Sequence, residues 1–301
     1  MNIFLTGAAG YIGGSIAQRL LGERHAVRGL LRDPAKADAL AASGIAPVLG
    51  DLEDHDLLIR EARGADAVIN AASSDHRGAV EALLQGLCGS GKPFLHTSGS
   101  SVIGDDACGD ALSPHVFDET TPFIVEPLKQ ARHAIDTLIL AAANDGVRSA
   151  VLCNTMIYGV GTGLHLHSVQ IPQLVAQARK SGVVRIVGRG VNRWSNVHID
   201  DVTALYSLAL RQAPAGAFYF VENGEASYAE IGTAIARRLG LGPVQSWTLA
   251  QASSEWGEGH ARYSLGSNSR VRALRARREL GWSPRHASVT DWIEHEMPLS
   301  L

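Results

Sequence analysis

Short apolar runs alternate with stretches in which apolar positions recur every three or four residues, and this alternation governs the first half of the chain. Runs at Ile3–Thr6, Ala26–Leu31, Pro47–Leu49, Ala67–Ala71, Phe94–Thr97 and Ser149–Cys153 predict strands. Most are apolar throughout, which is how a strand reads when helices cover both faces of its sheet. Between them, Tyr11–Leu21 places Ile12, Ile16 and Leu20 on one helical face. Gly78–Cys88 does the same with Val80, Leu83, Leu84, Leu87 and Cys88. Glu126–Asn144 predicts a long helix with Leu128, Ala131, Ile135, Leu138, Ile139 and Ala142 inward, stopped at Asn144-Asp145-Gly146. Strand–helix units repeated in this way build a parallel sheet.

After Tyr158-Gly159 the regularity breaks. A helix around Pro172–Lys180 leads to a strand at Val183–Val187, and Val197-His198-Ile199-Asp200-Asp201 opens another helix. A late strand at Phe218–Val221 precedes a helix at Tyr228–Leu239, and a basic helix follows near Val271–Leu280. The chain therefore divides near residue 155 into two lobes, with a segment of about 197–221 returning to the first sheet. A cleft between lobes is a common place for a substrate.

The first strand runs directly into Thr6-Gly7-Ala8-Ala9-Gly10-Tyr11-Ile12-Gly13-Gly14. Gly7, Gly10 and Gly13 have the spacing of a phosphate-binding turn: one glycine for the tight exit, one for close approach of a pyrophosphate, one for packing helix on sheet. The helix start adds unpaired N–H groups and a partial positive charge. Gly7, Ala9, Gly10, Tyr11, Ile12 and Gly13 are thus candidate dinucleotide-binding residues, because strand and helix stand where the motif requires them. Residues 1–155 are read as a Rossmann-type, doubly wound α/β domain and 156–301 mainly as a smaller substrate lobe.

Composition narrows this further. Hydrophobic residues make up 46% of the chain and charged ones 19%, a globular balance, and the net charge of −3 recruits neither nucleic acid nor an anionic membrane. Cys88, Cys108 and Cys153 have no paired spacing and read as free thiols of a cytoplasmic protein. No apolar run is long enough to span a bilayer.

Further motifs stand in a fixed order: Asp51-Leu52, Asn70-Ala71-Ala72, Thr97-Ser98-Gly99-Ser100-Ser101, Ile157-Tyr158-Gly159, Val197-His198-Ile199-Asp200-Asp201 and Arg277-Arg278-Glu279-Leu280-Gly281-Trp282. With the glycine loop, this set resembles the extended and atypical short-chain dehydrogenase/reductases, the NAD-dependent epimerase/dehydratase group, over nearly the whole chain. The resemblance implies NAD(P) binding, with Asp51 and Leu52 at the adenine and Ala71 and Ala72 on the ribose and nicotinamide side. It also puts Thr97 and Ser98 beside the cofactor, and Asn154 and Met156 flanking the nicotinamide. The structural alternative for Asp51, less favoured, is a helix cap before Leu-Glu-Asp. At the end of the second strand, Arg32 offers a fork of donors suited to a 2′-phosphate, and Asp33 before Pro34 suits a turn; NADP is favoured over NAD.

The family's usual chemistry pairs a Tyr with a Lys four residues later, and here the pair is missing. Setting the register on Lys129 puts Val125 at the tyrosine position; setting it on Arg132, which makes Asp136 the acid that usually follows, puts Leu128 there. Ser98 and Ser100, whose alternative is a hydrogen-bonded polar turn, and Tyr158 and His198 of the second lobe remain as candidate proton-transfer groups. Arg193 and Trp194 are candidate substrate contacts, although Arg193 stands one residue too far from His198 to match the diphosphate arginine of sugar-nucleotide epimerases. Trp194 could instead pack between lobes. His165 and His167, without a nearby carboxylate, make a poor metal site. The run Arg270, Arg272, Arg275, Arg277 and Arg278 reads as a helix face with Leu274 and Leu280 inward.

The expected activity is NADP-dependent hydride transfer with a small carbonyl or enone substrate. A non-catalytic NADP(H) sensor and a sugar-nucleotide epimerase or dehydratase are the alternatives. The Gly78–Cys88 and Glu126–Asn144 helices resemble the pair with which relatives form homodimers.

Overall fold

The computed structural model describes residues 1–300. The first lobe runs β1 (Asn2–Thr6), α1 (Tyr11–Gly22), β2 (Ala26–Leu31), α2 (Ala37–Ala42), β3 (Ala46–Leu49), α3 (His55–Gly64), β4 (Ala67–Asn70), α4 (Arg77–Leu87), β5 (Pro93–Gly99), α5 (Gln130–Ala141) and β6 (Arg148–Asn154). The chain continues with β7 (Met156–Tyr158), α6 (Gln170–Ser181), β8 (Arg185–Val187), β9 (Arg193–His198), α7 (Ile199–Gln212), β10 (Ala217–Val221), β11 (Glu225–Ser227) and α8 (Tyr228–Leu239). It ends with β12 (Gln245–Trp247), α9 (Leu249–Trp256), α10 (Glu258–His260), α11 (Leu274–Leu280) and α12 (Val289–His295).

Seven strands form one parallel sheet in the order β10-β6-β5-β4-β1-β2-β3. This is the Rossmann-type doubly wound arrangement. Successive strands step outward from β1 on one side and then, from β4, on the other, so β1 and β4 flank the switch point where such sheets leave a crevice. Both faces are covered: Ile3 and Leu5 pack in one core with Ile16 and Tyr206, while Phe4 between them packs in another with Leu58, Leu83 and Ile139.

Thr155 alone separates β6 from β7, and there the chain passes into a second, three-stranded sheet ordered β11-β9-β7. Residues 193–198 stay in that second sheet as β9. The return to the first lobe starts with α7, which packs against α1, and ends with β10 beside β6. A later return went unread in the sequence: Val271, Ala273, Ala276, Leu280 and Trp282 complete the first core.

The long helix differs from its prediction. Pro127–Lys129 is a 3₁₀ turn, and α-helical geometry starts only at Gln130. Pro127 pre-sets the first turn, and the tighter winding takes Leu128 off the apolar stripe. Leu128 is 69% exposed, and Ala131 is exposed too, while Ile135, Ile139 and Ala142 are buried. Leu274 is likewise exposed rather than inward; Ala276 and Leu280 hold α11 in place. The apolar face of α4 is covered within the chain, chiefly by α3.

Candidate cofactor and substrate site

Gly7 leaves β1 with φ +78°, and a Cβ there would lie 2.6 Å from the Ala71 carbonyl oxygen. At Gly13 a Cβ would lie 2.3 Å from the Gly7 carbonyl oxygen, so α1 rests directly on the loop. Gly10 is different: its Cβ would meet only the Gly7 oxygen at 3.2 Å, and its outer side faces open space. Gly10 is also the N-cap of the twelve-residue α1, with no side chain capping it and no acidic residue in the first turn. The free N–H groups at Tyr11, Ile12 and Gly13 and the helix dipole are therefore left for an anion. The cleft over this loop, about 450 Å³, is lined by Gly7, Ala9, Gly10, Arg32, Asp51, Leu52 and Ala72 among others. A glycine cradle that side chains would fill, over an uncapped helix, fits a dinucleotide pyrophosphate.

Around this cleft the polar groups sort into committed and free. Asp33 accepts from the Ala35 N–H at 3.0 Å and caps a 3₁₀ turn. Asp51 accepts from the Glu53 N–H at 2.9 Å in a local turn, whereas the cap of α3 is Asp54, which accepts from Leu57 N–H at 3.1 Å. Arg32 and Lys36 both line the cleft, are exposed, and have no hydrogen-bond or ion-pair partner among the described residues. Lys36 was not singled out in the sequence, because a lysine in a turn carries no motif.

A chain of buried polar groups runs behind the cleft. The amides of Ala71 and Ala72 donate to Thr6 Oγ1 at 3.2 and 3.3 Å, and the Thr6 hydroxyl donates to Asn70 Oδ1 at 2.5 Å. Asn70 Nδ2 donates to His96 Nδ1 at 3.1 Å, which leaves Nε2 4.0 Å from Asp136 Oδ1. Asp136 Oδ2 accepts from the Ser98 hydroxyl at 2.8 Å. Burial pushes the His96 imidazole down to about 3 and the Asp136 carboxyl up to about 6.

The serines after β5 do not point where the sequence suggested. Ser98 is spent on Asp136, and Ser100 is hydrogen-bonded to Ser269 at 2.8 Å; both are buried. Ser101 carries the accessible hydroxyl of the three, 2.9 Å from Arg132 Nη1. Arg132 in turn holds Asp75 with two bonds of 2.7 and 2.6 Å. A 3₁₀ turn at Ser100–Ile103 produces this rotation, which no periodicity in the sequence signals.

Ser101, Arg132 and Lys129 line a second cleft of about 350 Å³ together with Asn154, Thr155, Trp194, His260 and Tyr263. Burial, with Arg132 nearby, holds the Lys129 ammonium below its usual range. Asn154 Nδ2 donates to the Leu152 carbonyl and to Tyr206 Oη, each at 3.2 Å. Its Oδ1 is buried without a partner, an acceptor that fits a carboxamide donor such as that of nicotinamide. Thr97, between the two clefts, is hydrogen-bonded to Tyr206 at 2.7 Å.

Four sequence candidates lie elsewhere. Met156 packs in the second-lobe core, and Thr155 takes its place in the cleft. Tyr158 is fully buried, donates to the His286 carbonyl at 3.1 Å, and packs against His198 and Trp292. His198 Nδ1 accepts from the Asp200 N–H at 3.2 Å, capping α7, while its ring stacks on His286 at 3.9 Å. Arg193 pairs with Glu225 at 2.8 Å and Glu230 at 3.0 Å and lines a separate surface depression. Its neighbour Trp194 points to the opposite side of β9, donates to the Ser267 carbonyl at 2.8 Å, and is mostly second-lobe core with one edge on the cleft.

His165 and His167 keep their ring centroids 6.5 Å apart. The arginine run is drawn into carboxylates and carbonyls: Arg270 holds Glu225, Arg275 holds Glu279, and Arg277 caps the Ala273 and Glu222 carbonyls.

The family model described as "NAD dependent epimerase/dehydratase family" matches residues 3–221. The chain belongs to that family. Its fold is shared by a dTDP-glucose 4,6-dehydratase from Streptomyces venezuelae with NAD bound, at a TM-score of 0.77 and 22% identity, over 98% of this chain and 95% of the other. An oxidase from Acremonium is 33% identical, covering 94% of this chain and 92% of its own. A 2-alkyl-3-oxoalkanoate reductase from Stenotrophomonas maltophilia is 28% identical, covering 75% and 71%. As an NAD-dependent epimerase/dehydratase family member, the chain has the NAD(P)-binding oxidoreductase fold, with the glycine loop at the switch point of its sheet. No helix among the described residues is long and apolar enough to cross a membrane.

Proposed function

We propose that this protein is an NADPH-dependent reductase of a small ketone or related carbonyl compound. The observation that carries the cofactor choice is the pair Arg32 and Lys36, two exposed cations on the cleft with no acidic partner among the described residues, beside an Asp33 whose Oδ1 accepts from the Ala35 amide. A free carboxylate at the end of β2 would bind the 2′-hydroxyl of NAD, whereas free cations suit the 2′-phosphate of NADP.

When bound, the reduced nicotinamide supplies the hydride. The chain's own residues bind and orient. The loop at Gly7–Gly13 and the α1 N-terminus hold the pyrophosphate, and the unpartnered Asn154 Oδ1 is the acceptor for the carboxamide. Ser101 and Arg132 face the substrate from the first lobe. Reductase and oxidase relatives support this reaction class. The Arg193 pairing with Glu225 and Glu230 takes that side chain away from any sugar diphosphate in the cleft.

The test is comparative binding and turnover. NADP(H) should raise the melting temperature more than NAD(H), and NADPH should be oxidised by at least one ketone or β-keto acid in a panel. Arg32→Ala should weaken NADP binding by about 10–100-fold, the loss of one charge-assisted contact of roughly 1.5–3 kcal/mol, and leave NAD binding unchanged. A larger shift with NAD than with NADP would refute the cofactor assignment. No oxidation with any carbonyl would leave the NADP(H)-sensor reading in its place.

A further inference from the structure

We propose that the phenol absent from the helical Tyr–Lys position is supplied from the second lobe, by Tyr263, acting as the proton donor to the substrate oxygen. This rests on the reductase reading above.

The chain has six tyrosines, and five hydroxyls are committed. Tyr11 donates to the carbonyls of Tyr158 and Gly159, Tyr158 to His286, Tyr228 to Ser264; Tyr206 is bonded to Thr97 and Tyr219 to Glu279. Tyr263 alone has no hydrogen-bond partner for its hydroxyl among the described residues, and it lines the cleft that also holds Ser101, Arg132 and Asn154. Its backbone lies in a five-residue π-helical turn, Ala261–Leu265. Such turns are rare and gather at functional sites, because the wider winding re-aims a side chain that an α-helix would hold along its face.

Charge is arranged around the same ring. Lys129 Nζ lies 5.8 Å from the Tyr263 centroid, and the Arg262 guanidinium lies 5.7 Å from it. Arg262 is fixed by two bonds to Asp106, so one of these cations is held in place. Lys129 comes from the turn that opens α5, the neighbourhood in which the family lysine is expected. Lys129 and Tyr263 thus line one cleft, the lysine from the first lobe and the ring from the second. Positive charge close to the ring complements the charge that develops on its oxygen as the proton leaves.

The step balances. A C–H bond of the reduced nicotinamide would break with its electron pair, leaving the oxidised dinucleotide, as the carbonyl carbon gains a C–H bond, is reduced, and its C=O π pair moves to oxygen. The Tyr263 O–H bond breaks, a new O–H bond forms on the product alcohol, and the phenolate recovers a proton from water through the open cleft. Tyr263 is thus a catalytic residue, and Lys129 a positioning residue.

Two measurements test this. Acetylation of the native protein with N-acetylimidazole, read by mass spectrometry, should modify Tyr263 first, and NADP(H) with the product alcohol should slow that modification. Tyr263→Phe should lower kcat with the best carbonyl by on the order of 100–10,000-fold, the range for loss of a general acid, while the NADPH-induced melting shift stays that of the wild type. Wild-type reduction that persists in Tyr263→Phe, or acetylation that spares Tyr263, would overturn the assignment and leave the reductase reading standing. A wild-type protein that reduces no carbonyl overturns both.

Discussion

Gly13→Ala is expected to abolish the effect of NADP(H) on thermal unfolding, with affinity reduced by on the order of 100-fold, the loss associated with displacing a binding group by about an ångström. The added Cβ would lie 2.3 Å from the Gly7 oxygen, 2.8 Å from its carbonyl carbon and 3.3 Å from Leu5 Cδ2. Two of these are backbone atoms of the phosphate loop, so the helix must move off the loop rather than a side chain swing aside. Alanine gains about 1 kcal/mol over glycine in helix propensity, but overpacking costs about 1–3 kcal/mol, so the fold survives with a displaced α1 N-terminus. Gly22→Ala, at the other end of α1, is the control. A Cβ there meets nothing within 4 Å. That variant should gain up to about 1 kcal/mol of stability and bind the cofactor normally. Wild-type affinity in Gly13→Ala would refute the role given to the glycine loop.

Asp136→Asn should stabilise the protein by about 2–3 kcal/mol at pH 7.5 and by almost nothing near pH 4. Asp136 is raised by burial from 3.8 to about 6. A raised folded-state value means the acid's contribution is fully present below the unfolded value and is lost as pH climbs through about 6. Asparagine imitates the protonated acid, keeps a partner for Ser98, and does not ionise. His96 works in the opposite sense. Burial first, then Arg132, lowers it from 6.5 to about 3, so its contribution is present above 6.5 and is lost as pH falls. In the wild type the two slopes oppose each other between pH 4 and 6, and the profile is flattened there. Asp136→Asn removes one slope and should leave stability rising with pH up to about 6.5. Urea unfolding at a series of pH values decides it: equal stability of variant and wild type at pH 7.5, or a gain confined to acid pH, would contradict the assignment.

These two residues show how unevenly the site could be read in advance. The glycine loop is contiguous, and its function follows from backbone geometry that three glycines announce. The turn that Asp33 caps beside Pro34 is an equally local consequence. The sequence marks Asp136 as the acid that follows the Arg132 register, but not its surroundings, since its partners Ser98 and His96 come from β5. The sequence pointed to Ser98 and Ser100 because hydroxyls stood at the right strand end; a 3₁₀ turn gave the cleft to Ser101 instead. Tyr158 and His198 lie in recognisable motifs; the tertiary structure places the phenol on the His286 carbonyl and the imidazole on the start of α7.

What the sequence determined by itself was the alternation of strand and helix that builds the parallel sheet and the glycine loop after its first strand, because each is encoded by residues within one strand–turn–helix unit. The tertiary structure decided which side chains line the two clefts. It paired Arg193 with carboxylates, buried Ser98 and Ser100, left Arg32 and Lys36 without partners, and set Tyr263 opposite Lys129. Those outcomes depend on contacts between segments far apart in the chain, where periodicity and spacing carry no information about which side chain meets which.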